Sequence, residues 1–258
     1  ISAIPYFPYD RQAYNDMLLD VDNVIRRNLV GVDVEKYELG PEFMSLPMRM
    51  VERHQGFNGE RFDLPIQLRE GSIPILKPNS GGYTQLDASG YQILIDYLKP
   101  GIIPVYSLGK VLRDEIGAKE LKGQMVIVGA IAPSLKDEFS IPFSRFVRRG
   151  SGLLMSGSEI HAQRTNQLLS LQKGDQLGIR TLPSFLEVAL VLALIISTVL
   201  LIEYSRHTIV SLIGIISGIG ILLIGVIVAF SIGWWIEIAL PIFATLTTAS
   251  VCWVRKAT

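Results

Sequence analysis

The 258 residues carry 24 Lys/Arg against 24 Asp/Glu, so the chain is formally neutral and offers no polybasic face of the kind nucleic acid selects. Its one cysteine, Cys252, excludes an intrachain disulfide. Beyond Arg180 the only Lys, Arg, Asp or Glu residues are Glu187, Glu203, Arg206, Glu237, Arg255 and Lys256, so residues 1–180 read as a soluble domain and 181–258 as a membrane block.

The soluble part opens on a strand over Asp22–Asp33, then a helix over Pro41–His54 with Phe43, Leu46, Met50 and Val51 at helical spacing. Short β-like runs follow at Phe62–Leu68 and Ile73–Leu76, then a turn at Asn79–Gly82. Tyr91–Tyr97 is a strand, and Ser107–Ile116 a helix with Ser107 as its N-cap. Gln124–Ala130 is the clearest strand, since the continuous apolar run Met125–Val128 suits a fully buried position. Ser156–Ser170 is a helix, and Ser156 with Glu159 has capping-box spacing. Interleaved strands and helices make the fold class mixed α/β. The link Leu171–Arg180 contains Gly174 and Gly178, which predict a pliable joint.

A bilayer core of roughly 30 Å needs about 20 apolar residues in a helix. Three runs reach that length, at 182–204, 208–231 and 234–254, and predict an all-α bundle of three transmembrane helices. The breaks between them are short, so neighbours should be antiparallel. Arg206 with His207, and Arg255 with Lys256, fall on one side of the bundle; the turn at Gly233 has no basic residue. The positive-inside rule then sets the basic ends in the cytoplasm and the soluble domain outside, periplasmic or extracellular, with the protein multi-pass in the cell (inner) membrane. Lys173 and Arg180 act against this bias. Gly214 and Gly218 have G-x-x-x-G spacing and are assigned to packing within the bundle ahead of a dimer seam. Glu187, Glu203 and Glu237 stand near helix ends, within reach of the interface. The chain starts at Ile1 rather than Met, without a signal peptide, and is read as a piece of a longer protein with room for a preceding membrane anchor.

Chemistry-bearing residues gather in a few stretches. Asp87 to Gln92, Ser134 to Asp137, and Glu159 to His161 hold the candidate ligand contacts Asp87, Gln92, Ser134, Asp137, Glu159 and His161, joined by the pair Arg26 and Arg27. Asp137 leaves a buried strand, where ligand sites in α/β sheets collect; a structural cap explains it equally well. His161 titrates near neutrality if free, but a histidine satisfied by its neighbours is the commoner case. The arginine pair can meet an anion, but paired arginines are more often solvated or salt-bridged. No His, Cys or acid stands at metal-ligand spacing, and Asp20-Val-Asp22-Asn23 lacks the glycine and distal Glu of a calcium loop. No phosphate-binding glycine loop, nucleophile elbow, kinase or cyclase signature is present. No catalytic residue, metal or cofactor is assigned.

Taken in order, Val24–Val30, Asp87–Tyr97, Tyr106–Leu112, Leu121–Gly129, Ser134–Asp137 and Ser158–Ala162 resemble the CHASE-type extracellular sensory domain of the second subtype, in a cyanobacterial-like variant. The family's usual Val-Glu-Ile-His reads Ser158-Glu-Ile-His161 here, which keeps the helix start at Ser156. The resemblance implies a sensor outside the membrane, three helices after it, and an effector beyond the last helix: an adenylate or guanylate cyclase, a histidine kinase or a Ser/Thr kinase. It carries over no ligand. The expected function is therefore a transmembrane receptor for an unknown small-molecule or physical signal, embedded in membrane lipid and assembled as a homodimer. A membrane-anchored enzyme is the alternative, though no convergent acid/base set supports it; a transporter or assembly subunit is the third, though mid-helix charges are absent.

Overall fold

A computed structural model of the protein describes residues 11–32, 43–54, 67–68, 71–72, 74–99, 101–145, 154–174 and 178–257. The chain divides into two units, Ile1–Leu76 with Ala88–Gly178, and Lys77–Asp87 with Ile179–Thr258. The soluble part expected over 1–180 is thus interrupted: an eleven-residue loop within it joins the second unit.

In the first unit, β1 (Leu18–Leu19) turns through Asp20–Asn23 into β2 (Ile25–Val32), the longest strand. β3 (Phe43–Met44) pairs with the end of β2 on the same edge. α1 (Leu46–His54) follows directly, and Ser45 Oγ accepts the Met48 N–H at 3.4 Å to cap it. The helix expected from Pro41 starts later because the sheet takes Phe43 and Met44; Pro41 itself lies outside the described residues. β4 (Gln67–Leu68) and β5 (Gly71–Ser72) make a small hairpin. The rest of the run expected from Phe62, and Ile73, lie outside the described residues.

β6 (Tyr91–Leu94) lies antiparallel on the free edge of β2, with Arg27 opposite Leu94 and Asn28 opposite Ile93. It stops three residues short of the expected Tyr97, after the Ile95 N–H has made its bond to Arg26 O. α2 (Leu108–Leu112) begins at Ser107, whose hydroxyl accepts the Lys110 N–H, and α3 (Ala118–Leu121) follows. The strand expected over Gln124–Ala130 does not form. The segment is irregular, and Val126 and Val128 are exposed at 56 % and 78 %. An apolar β-prone run needs a partner edge, and among the described residues none pairs with it. β7 (Glu138–Ser140) pairs with β8 (Leu154–Ser156), which runs straight into α4 (Gly157–Lys173).

α1 and α4 pack together over the sheet and fill two apolar clusters. Val30, Met44, Met48, Val51, Ile93, Leu168 and Leu171 form one; Ile25, Ile95, Ile141, Met155 and Ile160 form the other. The 17-residue α4 supplies Ile160 to one and Leu168 and Leu171 to the other. It ends on Gly174 at φ 76, whose N–H bonds Leu171 O and Ser170 O. Gly178, at φ 67, lies against Pro74 and Leu171; an added Cβ would sit 3.1 Å from Pro74 Cγ. Both glycines expected to make the link pliable take left-handed conformations; residues 175–177 between them lie outside the described residues.

In the second unit, β9 (Arg180–Thr181) pairs in parallel with β10 (Trp234–Trp235). α5 (Ser184–Tyr204) and α6 (Thr208–Ser231) are long and apolar enough to cross a membrane. Almost nothing on them is buried: Thr198 and Ile202 on α5, Ser211 and Ile215 on α6. α7 (Ala239–Ala257) is the third helix and packs on α5. It begins five residues later than expected, because Trp234 and Trp235 are held in β10 and the Glu237 carboxylate takes the free N–H groups of Ala239 and Leu240 at 2.8 and 3.1 Å. Its apolar run is shorter and ends in Arg255 and Lys256, so among the described residues two helices meet the length and composition of a span, where three were expected.

The far end of this bundle is tied by polar contacts. Arg255 pairs with Glu203, Lys256 Nζ donates to Ile202 O and Ser205 O at 2.7 Å, and the Trp253 indole N–H donates to Ser211 Oγ at 3.1 Å. The Lys256 ammonium thus satisfies the last carbonyls of α5. Gly214 lets α6 approach α5: a Cβ there would meet Leu201 Cδ2 at 2.7 Å, whereas Gly218, Gly220 and Gly225 face open space.

Candidate functional site

β2 presents consecutive residues to opposite sides, and its two faces carry different polar groups. Arg27, beside Gln92 across the ladder, donates Nε to Asp20 at 2.7 Å, Nη1 to Gln92 Oε1 at 2.7 Å and Nη2 to Leu19 O at 3.3 Å. Arg26 grips Asp22 with both terminal nitrogens at 2.8 Å and reaches Asp20 at 2.9 Å. Those hydrogen bonds, to Asp22 first, raise the Arg26 pKa above its ordinary value. Gln92 completes the set by donating to Ser89 O. Three predicted contacts, Arg26, Arg27 and Gln92, therefore meet, and two guanidinium groups face the two carboxylates of Asp20 and Asp22. Asp87 belongs to the loop Lys77–Asp87 of the other unit. In that loop Tyr83 meets Trp235 edge-on at 5.6 Å between ring centres, and Gly81 lies flat against the same indole.

The start of α4 gathers a second set. Ser156 Oγ accepts the Glu159 N–H at 3.3 Å and touches Ser158 Oγ at 3.1 Å. The Gly157 N–H donates to Asp137 O at 3.0 Å, and the Asp137 carboxylate lies so close that a Cβ on Gly157 would meet Oδ1 at 2.5 Å. Gly129 is pressed against Ser158 in the same way, its missing Cβ 2.8 Å from Oγ. The loop from Gly129 to Asp137 thus rests on the helix start, and the carboxylate takes the position a helix N-terminus favours for negative charge. Ser134, in a 3-10 turn over Pro133–Leu135, is exposed. Partial burial raises the pKa of Glu159.

His161 points the other way, into the unit. It is 6 % exposed, and burial, with Arg164 adding, pushes its pKa down to about 4; a backbone hydrogen bond to Asn15 acts in the opposite sense. Arg164, one turn on, is a residue the sequence reading missed. It is 1 % exposed, donates to Asp16 O at 3.2 Å and Arg27 O at 3.0 Å, and meets no carboxylate among the described residues. Burial lowers its pKa to about 10. Tyr14 and Tyr97 stand near it with hydroxyls bonded to Leu29 O and Ile25 O; burial raises both phenols. Gln167 donates to Leu94 O at 2.9 Å and Gln163 accepts the Leu98 N–H at 3.1 Å. Asn28 is 0 % exposed and both its side-chain polar atoms are unpartnered, as are His161 Nδ1, Arg164 Nε and Gln167 Oε1. The signal available in the sequence was the stripe Ile160, Arg164, Leu168, Leu171, which places an arginine at a core position of the helix.

Among the described residues no cluster of His, Cys, Asp or Glu could hold a metal ion. Nor does any of these sets pair a nucleophile with a base. Comparison with known families matches residues 2–201 to the model of the CHASE2 domain. No curated protein and no solved structure matches the chain.

Proposed function

The chain belongs to the CHASE2 domain family, a family of sensory domains found in signalling receptors, and on that premise we propose that it is the input and membrane portion of a transmembrane receptor. The observation that carries the reading is the extent of the match. It runs through the α/β unit to residue 201, almost the whole of α5, so the sensor and the first apolar helix are one family unit. In this proposal α5 and α6 cross the membrane, α7 makes a third crossing, the α/β unit lies outside the cytoplasm, and a cyclase or kinase receives the signal beyond α7.

Two features support that arrangement. Arg255 and Lys256 bond to the same end of the bundle that carries Glu203 and Ser205, next to Arg206, so the basic residues concentrate at one end as the positive-inside rule requires. Glu237, the acid in the opposite turn, is spent as a helix cap rather than exposed as a charge within the apolar layer. The signal is a shift between two positions of α4, the last helix of the α/β unit before α5. The test is cyclase or kinase output of the full-length receptor in membranes, normalised to folded protein. Ser156→Ala weakens the start of α4 and should change basal output; output unchanged by this and by Gly174→Ala would remove α4 from the pathway.

A further inference from the structure

We propose that Asn28, His161, Arg164 and Gln167 form the binding site for a small carboxylate that carries its own hydroxyl or amino donor, of the size of glycolate or glycine. The proposal deepens the sensor reading by naming the chemistry of the signal, and it rests on that reading only for its consequence, not for binding.

The four residues meet at one step of the β2–β6 ladder. Arg164 bonds Arg27 O and Gln167 bonds Leu94 O, and Arg27 and Leu94 are opposite one another in the ladder. Asn28 is the next residue along β2, and its ladder partner Ile93 belongs to the same apolar cluster as Leu168 of α4. Residues opposite one another share a face, so Asn28 faces α4 between Arg164 and Leu168. His161 precedes Arg164 by one turn, and both reach the segment Asn15–Asp16 through its backbone. Every polar atom left without a partner in this unit's described core lies in this layer.

The inventory of those atoms defines the ligand. Arg164 Nε and Asn28 Nδ2 are free N–H donors, the complement of two carboxylate oxygens. Asn28 Oδ1, Gln167 Oε1 and His161 Nδ1 are free acceptors, which ask for an O–H or N–H on the same molecule and oppose a sulfate or phosphate. Charge points the same way. Among the described residues the guanidinium of Arg164 bonds only backbone carbonyls, Tyr14 and Tyr97 are neutral, and the Asp16 side chain is exposed, so its charge is screened by solvent. Buried water could satisfy the orphan atoms but would leave the positive charge unbalanced; a monoanion answers both. The four side chains are at most 6 % exposed, so a ligand reaches them only when α4 lifts. Occupancy and the position of α4 are then one equilibrium.

The experiment uses the whole chain in lipid nanodiscs and measures thermal midpoint and calorimetric binding with glycolate and glycine, and with acetate and sulfate at matched ionic strength. Glycolate or glycine should raise the midpoint and bind; acetate, lacking the donor, should do so more weakly, and sulfate not at all. Asn28→Leu keeps the volume and removes both orphan atoms, so it should fold and lose at least about tenfold in affinity. Arg164→Met should abolish binding. The proposal is overturned if neither glycolate nor glycine shifts the midpoint at millimolar concentration, if sulfate matches them, or if Asn28→Leu binds as the parent does. Binding that leaves receptor output unchanged would overturn the sensor reading while the site stands.

Discussion

Burying His161 without a full set of partners gives the protein a pH response whose sign is fixed. Its ordinary value of 6.5 holds in the unfolded chain and about 4 in the folded one. Between the two the unfolded chain keeps the proton, so stability is complete above about pH 6.5, is lost as pH falls toward about 4, and levels off below. The shift corresponds to about 3 kcal/mol. Denaturation at pH 7 and pH 4 should show that difference, and His161→Gln should remove most of it; an unaltered pH dependence in the variant would place the titrating group elsewhere. A second expectation concerns Gly157, pressed against the Asp137 carboxylate. Gly157→Ala should destabilise the unit by about 1–3 kcal/mol through overpacking, and Asp137→Ala in the same chain should recover much of the loss, a coupling readable by a double-mutant cycle. His161, Glu159 and Asp137 were singled out in the sequence by residue type alone. Arg164, Asn28 and Gln167 were not, since a polar residue on a helix or strand shows its burial only after the faces have been assigned.

At the scale of elements, local signals were read well wherever they are self-contained. Ser156 and Ser107 cap the helices that follow them, and α6 occupies the expected span to the residue, because capping and unbroken apolarity are properties of the segment alone. Met125–Val128 shows the limit. Its β propensity is as high as that of β2, but strand formation depends on an edge supplied by distant residues, and sequence pattern does not report one. Ser156→Ala should cost about 1 kcal/mol, roughly a fivefold change in a two-state equilibrium, without unfolding the unit. Gly174→Ala should cost about as much by forcing an L side chain into φ 76; thermal midpoints of both variants give the check. The loop Lys77–Asp87 offers an independent measurement. Trp235→Ala removes the surface on which Gly81 and Tyr83 rest, so chymotryptic cleavage after Tyr83 should accelerate, and an unchanged rate would mean that another contact holds the loop.

For the molecule as a whole, charged residues become sparse beyond Arg180, and the two apolar helices α5 and α6 lie in that stretch. Reporter fusions at Ile1 and after Thr258 should read outside and cytoplasmic respectively; a cytoplasmic reading at Ile1 would invert the proposed orientation. What the linear pattern did not disclose is that the α/β unit is discontinuous, leaving itself at Leu76 and returning at Ala88. Receptor engineers usually treat a sensory module as one stretch of sequence that can be cut once and spliced to a new output. Here a single cut after Gly178 takes along an eleven-residue insert whose aromatic seat, Trp235, stays behind. A portable module needs either a short bridge from Leu76 to Ala88 in place of the insert, or the β10 turn grafted with it, and chimeras built without one of these should be the ones that aggregate.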